Sequence, residues 1–216
     1  MGRYTTALDI CQAAAYKIGA APVTNIENPE TVTEQRLSFL YDRVRRYVLR
    51  VGVWNFAQSI TRLTSLSEDK PEGFSSVFMF PTDFIRFLGF VQGGEFYIPP
   101  TDDYMIANNR VYLKYYTDTS IWLKYISDFE NVAAMDDCFI DSLILRLAYE
   151  LAYIESGKST LVTRLLEEYE YSLLQAKMID GQEQKPRRVC RSRWQQARHY
   201  GSSSDSALPY RIGLDI

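Results

Sequence analysis

The side chains that could do chemistry are few and scattered. One histidine, His199, stands beside Tyr200, and Ser202, Ser203 and Ser204 follow it. A serine with a nearby histidine can act as an activated nucleophile. Catalysis needs held geometry, however, and this stretch reads as a linker. Carboxylates stand in adjacent pairs: Asp102-Asp103, Asp136-Asp137 and Glu167-Glu168. Glycoside cleavage needs two carboxyls facing each other across a site, which sequence neighbours seldom do. Asp136 and Asp137 fall where a helix should begin, and there they suit the helix dipole. Cys11, Cys138 and Cys190 are odd in number and widely spaced, which argues against a disulfide framework or a zinc site. Cys11 and Cys138 lie in helical patterns and read as small buried residues of a chain that folds in a reducing compartment. No zinc-protease, P-loop or nucleophile-elbow spacing occurs, and Gly93-Gly94 is too small to cradle phosphate. The expectation is a protein without catalytic residues, metal or cofactor.

What remains is binding chemistry, and it gathers at the C-terminal end. Arg187, Arg188, Arg191, Arg193 and Arg198 fall within twelve positions, with Trp194 among them. Such a cluster suits nucleic-acid phosphates or an acidic protein surface. Farther on, Leu208, Tyr210, Ile212, Leu214 and Ile216 alternate with Pro209, Arg211, Gly213 and Asp215. That period of two belongs to a strand with one buried face. The tether Gly201-Ser202-Ser203-Ser204-Asp205-Ser206 precedes it. A lone strand is not stable in water. It either adds an edge to its own domain or pairs with a sheet edge or groove on another chain. Fully extended, residues 182–216 would reach roughly 100 Å at ~3.3 Å per residue.

Charge separates this tail from the rest. Residues 182–216 hold seven Lys or Arg against three acids, whereas the whole chain of 216 residues is −3, so residues 1–181 hold −7. An acidic body with a basic tail fits a part that docks through its tail. The length is enough for one sizeable core or two small ones. Tyr, with 16 copies, dominates the aromatics and suits half-wet contact surfaces. No run of about 18 apolar residues occurs, so no membrane span is expected. Met1-Gly2-Arg3-Tyr4-Thr5-Thr6 lacks the apolar stretch of a secretory signal. Gly2 with Thr6 fits a myristoylation pattern only loosely.

The elements that would position these groups follow from hydrophobic spacing. Leu8, Cys11, Ala15 and Ile18 predict a helix over about 6–18, opened by Thr6 and Asp9 and closed by Gly19. Pro22, Asn25, Asn28 and Pro29 make a loop. Thr31 and Glu34 open a second helix over about 32–51, carried by Leu37, Leu40, Tyr41, Val44, Tyr47, Val48 and Val51. Its arginines, Arg36, Arg43, Arg45, Arg46 and Arg50, read either as a solvated face or as ion-pair partners for a neighbouring subunit. Trp54 and Phe56 should wedge this helix onto the next layer.

Between about 58 and 127 the period changes to short strands: 60–64, 84–91 with 95–98, 103–106 with 111–116, and 121–126. Gln92-Gly93-Gly94 and Asn108-Asn109 are hairpin signals. A small barrel or sandwich is expected. Helices return over about 136–156 and 159–179, the last closed by Gly181. The predicted fold class is α+β: a four-helix bundle (1–57 and 128–181) with an inserted small antiparallel β domain (58–127) and an extended C-terminal tail (182–216).

In this order the pieces resemble the head-to-tail adaptor family of short-tailed bacteriophages, often called tail tubular protein A. The matching stretches begin with Ala7-Leu8-Asp9-Ile10 through Ile18-Gly19, followed by Pro22-Val23 and Ile26-Glu27. The basic second helix and Trp54-Asn55-Phe56 come next. Phe80-Pro81-Thr82-Asp83-Phe84-Ile85-Arg86 is similar to the family's Pro-x-Asp-Phe-Leu-Arg turn. Asn108-Asn109-Arg110 before Leu113-Lys114-Tyr115-Tyr116 resembles its hairpin, and Phe129, Phe139 and Leu147-Ala148-Tyr149-Glu150-Leu151-Ala152 its third helix. The likeness covers about residues 5–180, and order and spacing carry it.

The resemblance implies a structural virion protein at the phage head–tail junction, made in the host cytoplasm. It would form a homo-oligomeric ring, usually a dodecamer, below the portal protein and above the tail nozzle. Genomic DNA would pass through its channel during ejection without sequence-specific binding. Portal docking is then expected of Arg187, Arg188, Arg191, Arg193, Trp194, Arg198, Leu208, Tyr210, Ile212, Leu214 and Ile216. The competing readings are a tail-associated cell-wall hydrolase and a DNA-binding connector.

Overall fold

Two threonines start the first two helices. In the computed structural model, which describes residues 4–67, 70–92, 95–116, 118–155 and 159–183, the Thr6 hydroxyl accepts from the Asp9 amide at 3.2 Å. The Asp9 carboxylate accepts in return from the Thr6 amide at 2.9 Å. This reciprocal cap satisfies donors that helix geometry leaves without partners, and α1 runs Ala7–Ile18. Gly19 ends it at φ 72, a left-handed conformation open to glycine at little cost. Thr31 and Glu34 repeat the device for α2, Val32–Val51.

A 3-10 turn at Asn55–Ala57 leads into β1 (Gln58–Thr64), β2 (Ser76–Met79), β3 (Phe84–Gln92) and β4 (Glu95–Tyr97). A second 3-10 turn precedes β5 (Tyr104–Ala107), β6 (Arg110–Leu113) and β7 (Ser120–Ser127). A third then leads to α3 (Asp137–Glu155) and α4 (Ser159–Glu183). The strands form two antiparallel sheets, β1-β7-β3-β4 and β2-β6-β5. A single bridge, Ser65 to Phe78, joins them. Asn108 and Asn109 both take positive φ, 52 and 58, the two-residue turn that suits strand twist.

Leu63 of β1, Phe78 of β2, Phe90 of β3, Val111 of β6 and Leu123 of β7 share one apolar cluster. Both sheets therefore cover the same core, the sandwich rather than the barrel. A larger cluster fills the helical part and takes in Ile85 and Ile126 from the ends of β3 and β7. Trp54 sits at its centre, donating its indole N–H to the Val48 carbonyl at 2.9 Å and meeting Phe139 edge-on at 5.0 Å. This is the wedge expected of the aromatic pair after α2.

The described residues thus form a mixed α and β fold, as expected, with four helices and two small antiparallel sheets. The expected four-helix bundle is not shown by their packing. α3 is the hub, packing on α1, α2 and α4, while α4 makes no comparable contact with α1 or α2. Ala148 and Ala152 are fully buried on α3 and let its neighbours approach.

Two further expectations change. β2 is a strand that the sequence pattern did not flag, because Ser76, Val77 and Phe78 are all buried and show no alternation. Gly181 does not close α4: the helix continues to Glu183. Asp180 holds that end, accepting from the Asn55 backbone N–H (2.8 Å) on its carboxylate and from the Asn55 side-chain amide (2.9 Å) on its carbonyl.

Candidate functional site

The eleven residues expected to dock, Arg187, Arg188, Arg191, Arg193, Trp194, Arg198, Leu208, Tyr210, Ile212, Leu214 and Ile216, lie outside the described residues. So do His199, the serines 202–204 and Cys190.

One residue of each carboxylate pair, Asp136, Glu168 and Asp103, has a partner within the chain. Asp136 accepts from the amides of Cys138 (2.8 Å) and Phe139 (3.3 Å) and so caps α3. Glu168 pairs with Arg164 one turn back on α4, at 3.4 Å. Asp103 turns its carbonyl to the Lys114 amide at 3.0 Å. Burial pushes the Cys11 thiol up to about 12. Burial first, and then the charge of Asp136, raise the Cys138 thiol. Neither is poised as a thiolate nucleophile. Among the described residues, no group of three or more His, Cys, Asp or Glu could hold a metal ion.

Glu34 is the most heavily engaged acid. One of its oxygens accepts from the Thr24 amide (2.8 Å), the Thr24 hydroxyl (3.0 Å) and the Asn25 amide (3.2 Å). The other accepts from the amides of Glu30 and Thr31, both at 3.0 Å. These donors hold its carboxyl well below the usual carboxylate range. One side chain thereby ties the whole α1–α2 loop to the first turn of α2.

Each arginine of α2 has a partner within the chain. Arg45 is 2% exposed. Its guanidinium donates to the Asp128 carboxylate at 2.7 Å and to the Phe129 carbonyl at 2.6 Å. Arg50 donates to the Ile85 carbonyl at 2.7 Å. Arg46 pairs with Asp128 at 3.4 Å, Arg43 with Glu150 at 3.2 Å and Arg36 with Glu155 at 3.2 Å. The stripe therefore clamps α2 to β3, to the β7–α3 connection and to α3. Arg146 of α3 adds a cation held over the rings of Tyr47, Tyr149 and Tyr169 at 4.8, 4.9 and 5.3 Å.

The outer side of α2 carries exposed apolar side chains. Phe39 is 81% exposed, and Val32 is also open. With Gln35, Arg36, Leu40, Arg43 and Ile154 they line a shallow groove of about 530 Å³ between α2 and α3. Arg43, Arg46, Tyr47, Arg50, Phe84 and Ile85 line a second hollow of about 240 Å³ farther along. Val32, Phe39 and Ile154 make one end apolar, and Arg43, Arg46 and Arg50 gather toward the other. The sequence held its signal: Val32, Arg36, Phe39, Arg43, Arg46 and Arg50 recur at spacings of four and three. Phe39 escaped notice because it does not belong to the buried stripe.

No protein-family model matches the chain, and no curated protein matches it.

Proposed function

We propose that this chain is a head-to-tail adaptor of a short-tailed phage: a structural ring subunit that sits below the portal, extends the DNA channel and offers a platform to the tail nozzle. The observation that carries this reading is the order of its motifs. Two capped helices come first, then a Trp-Asn-Phe wedge, a Pro-Thr-Asp-Phe-Ile-Arg turn, an Asn-Asn hairpin and an alanine-bearing third helix. The described fold is compatible with it, since helices precede and follow a small β insert.

In this reading the helices 1–57 and 128–181 build the ring, and the β insert 58–127 projects from it. Residues 182–216 reach up to the portal. There the arginines from Arg187 to Arg198, with Trp194, meet an acidic surface, and Leu208, Tyr210, Ile212, Leu214 and Ile216 add a strand to it. One tail binds weakly, because ordering it costs about 1–2 kcal/mol per residue. Twelve tails on one ring convert weak contacts into durable attachment. The −7 of residues 1–181 repels DNA and lets it slide.

Binding to portal-bearing particles tests this. The full chain should be retained on them, and a chain lacking residues 207–216 should not. Retention that survives the deletion overturns the docking role of the strand. Salt-sensitive DNA retention lost on replacing the arginines of 187–198 would favour the DNA-binding connector. Release of peptidoglycan fragments by the purified chain would favour the hydrolase.

A further inference from the structure

α4 carries a second exposed seam, and it complements that of α2. Tyr171, Leu174 and Met178 are 65, 58 and 58% exposed. With Glu167 they continue the four-three-four spacing along α4. They stand about 140–200° around the helix from Tyr169 and Ala176, which are buried. The seam therefore points away from α3, and α4 has α3 as its chief neighbour. A four-three repeat is the pattern by which one helix lies along another. Here it recurs on the outer sides of two different helices.

Their charges are opposite. α2 holds five arginines and two acids. α4 holds two basic and five acidic residues. The distribution also fixes a direction. On α2 Val32, Arg36 and Phe39 come first, with Arg36 paired to Glu155 of α3, and the arginines Arg43, Arg46 and Arg50 follow. On α4 the acids Glu167, Glu168 and Glu170 come first and Leu174 and Met178 follow. Antiparallel pairing with Phe39 against Leu174 puts Arg43 level with Glu170 and Arg46 level with Glu167. Parallel pairing would bury arginines against Leu174 and Met178, which is costly.

We propose that the outer seam of α2 docks antiparallel on the outer seam of α4 in a second copy of this chain. The contact is head-to-tail: each copy offers one seam in each direction, so the same bond repeats from copy to copy and closes a ring where the rotation allows. The proposal deepens the adaptor reading and rests on it for the ring, while the seam itself is a separate claim.

Sedimentation of the full chain and of two variants, Phe39→Asp and Leu174→Asp, tests it. Both positions are solvent-facing, and unchanged circular dichroism establishes that the variants fold. The wild-type chain should self-associate. Each variant alone should weaken association by about tenfold or more, as expected for loss of a central apolar anchor. Mixed together, the two variants should form a one-to-one dimer and stop there, because each retains the seam that the other needs. A third variant pair, Arg46→Glu with Glu167→Arg, should associate better in one chain than either change alone. Association of Phe39→Asp and Leu174→Asp equal to wild type overturns the seam and leaves the ring reading standing. A wild-type chain that stays monomeric both free and on portal particles overturns both. A mixture that remains monomeric although the wild type assembles overturns the head-to-tail pairing.

Discussion

Arg45 and Glu34 each have one charge and several partners, and each is held out of water. Removing the Arg45 guanidinium takes its donor from the Phe129 carbonyl and leaves the Asp128 carboxylate with Arg46 alone, at 3.4 Å. Breaking a buried ion pair by deleting one partner costs about 3–5 kcal/mol. Arg45→Ala should therefore approach that loss in urea unfolding, whereas Arg43→Ala, which removes a mostly exposed guanidinium and leaves Glu150 paired with Arg146, should cost no more than about 1 kcal/mol. Glu34 supplies a pH signature. Its folded carboxyl lies below the ordinary value of 4.5. Its contribution to stability is therefore present above that value and is lost as pH falls below it. Glu34→Gln should lower Tm at neutral pH, because the amide presents a donor to backbone N–H groups that need an acceptor. The gap to wild type should narrow as the buffer is taken below 4.5. A gap that is constant with pH would mean that the charge of Glu34 contributes nothing. The sequence announced Glu34 as a capping residue, since capping depends on a local spacing. It could not announce the contacts with Thr24 and Asn25, or Arg45 as the buried member of five similar arginines, because those depend on where the chain returns.

Helices and hairpins were legible where local chemistry decides them. The caps at Thr6 and Thr31, the Gly19 stop and the Asn108-Asn109 turn each rest on a few neighbouring residues. Elements decided by distant packing were not. β2 shows no alternation because both of its sides are covered. The end of α4 runs past a glycine because Asp180 is held by Asn55, far away in sequence. The glycine can be tested directly. Gly181 lies within the helix and a methyl group there would meet nothing within 4 Å. Glycine in a helix is less favourable than alanine by up to ~1 kcal/mol. Gly181→Ala should therefore raise Tm slightly and increase helical circular dichroism. A fall in either would mean that the position acts as a stop after all, with α4 ending before Glu183.

At the scale of the whole molecule, the question is whether the sheets and the helices unfold together. Their apolar clusters are distinct, yet β3 and β7 contribute to both. On β7, Ile121, Leu123 and Tyr125 face the cluster between the sheets, while Ile126 enters the helical one. Polar contacts cross at the same place. Arg50 donates to the Ile85 carbonyl at 2.7 Å, and Arg86 returns a bond to the Arg50 carbonyl at 3.2 Å. The Asp128 amide, beyond the end of β7, donates to the Asp83 carbonyl at 2.7 Å. A strand that serves two cores couples them, because it cannot leave one without opening the other. Ile126→Ala should cost about 2–5 kcal/mol, the range for a large buried aliphatic side chain. That loss should register on both sides of the junction. The indole resonances of Trp54, buried among the helices, and Trp122, on β7, report the two regions within one NMR denaturation series. They should share a single midpoint in the wild type, and Ile126→Ala should move both equally. Two midpoints, with Ile126→Ala moving only that of Trp54, would make the β insert a domain that folds by itself. The polar contacts across the junction would then be orientation without cooperativity.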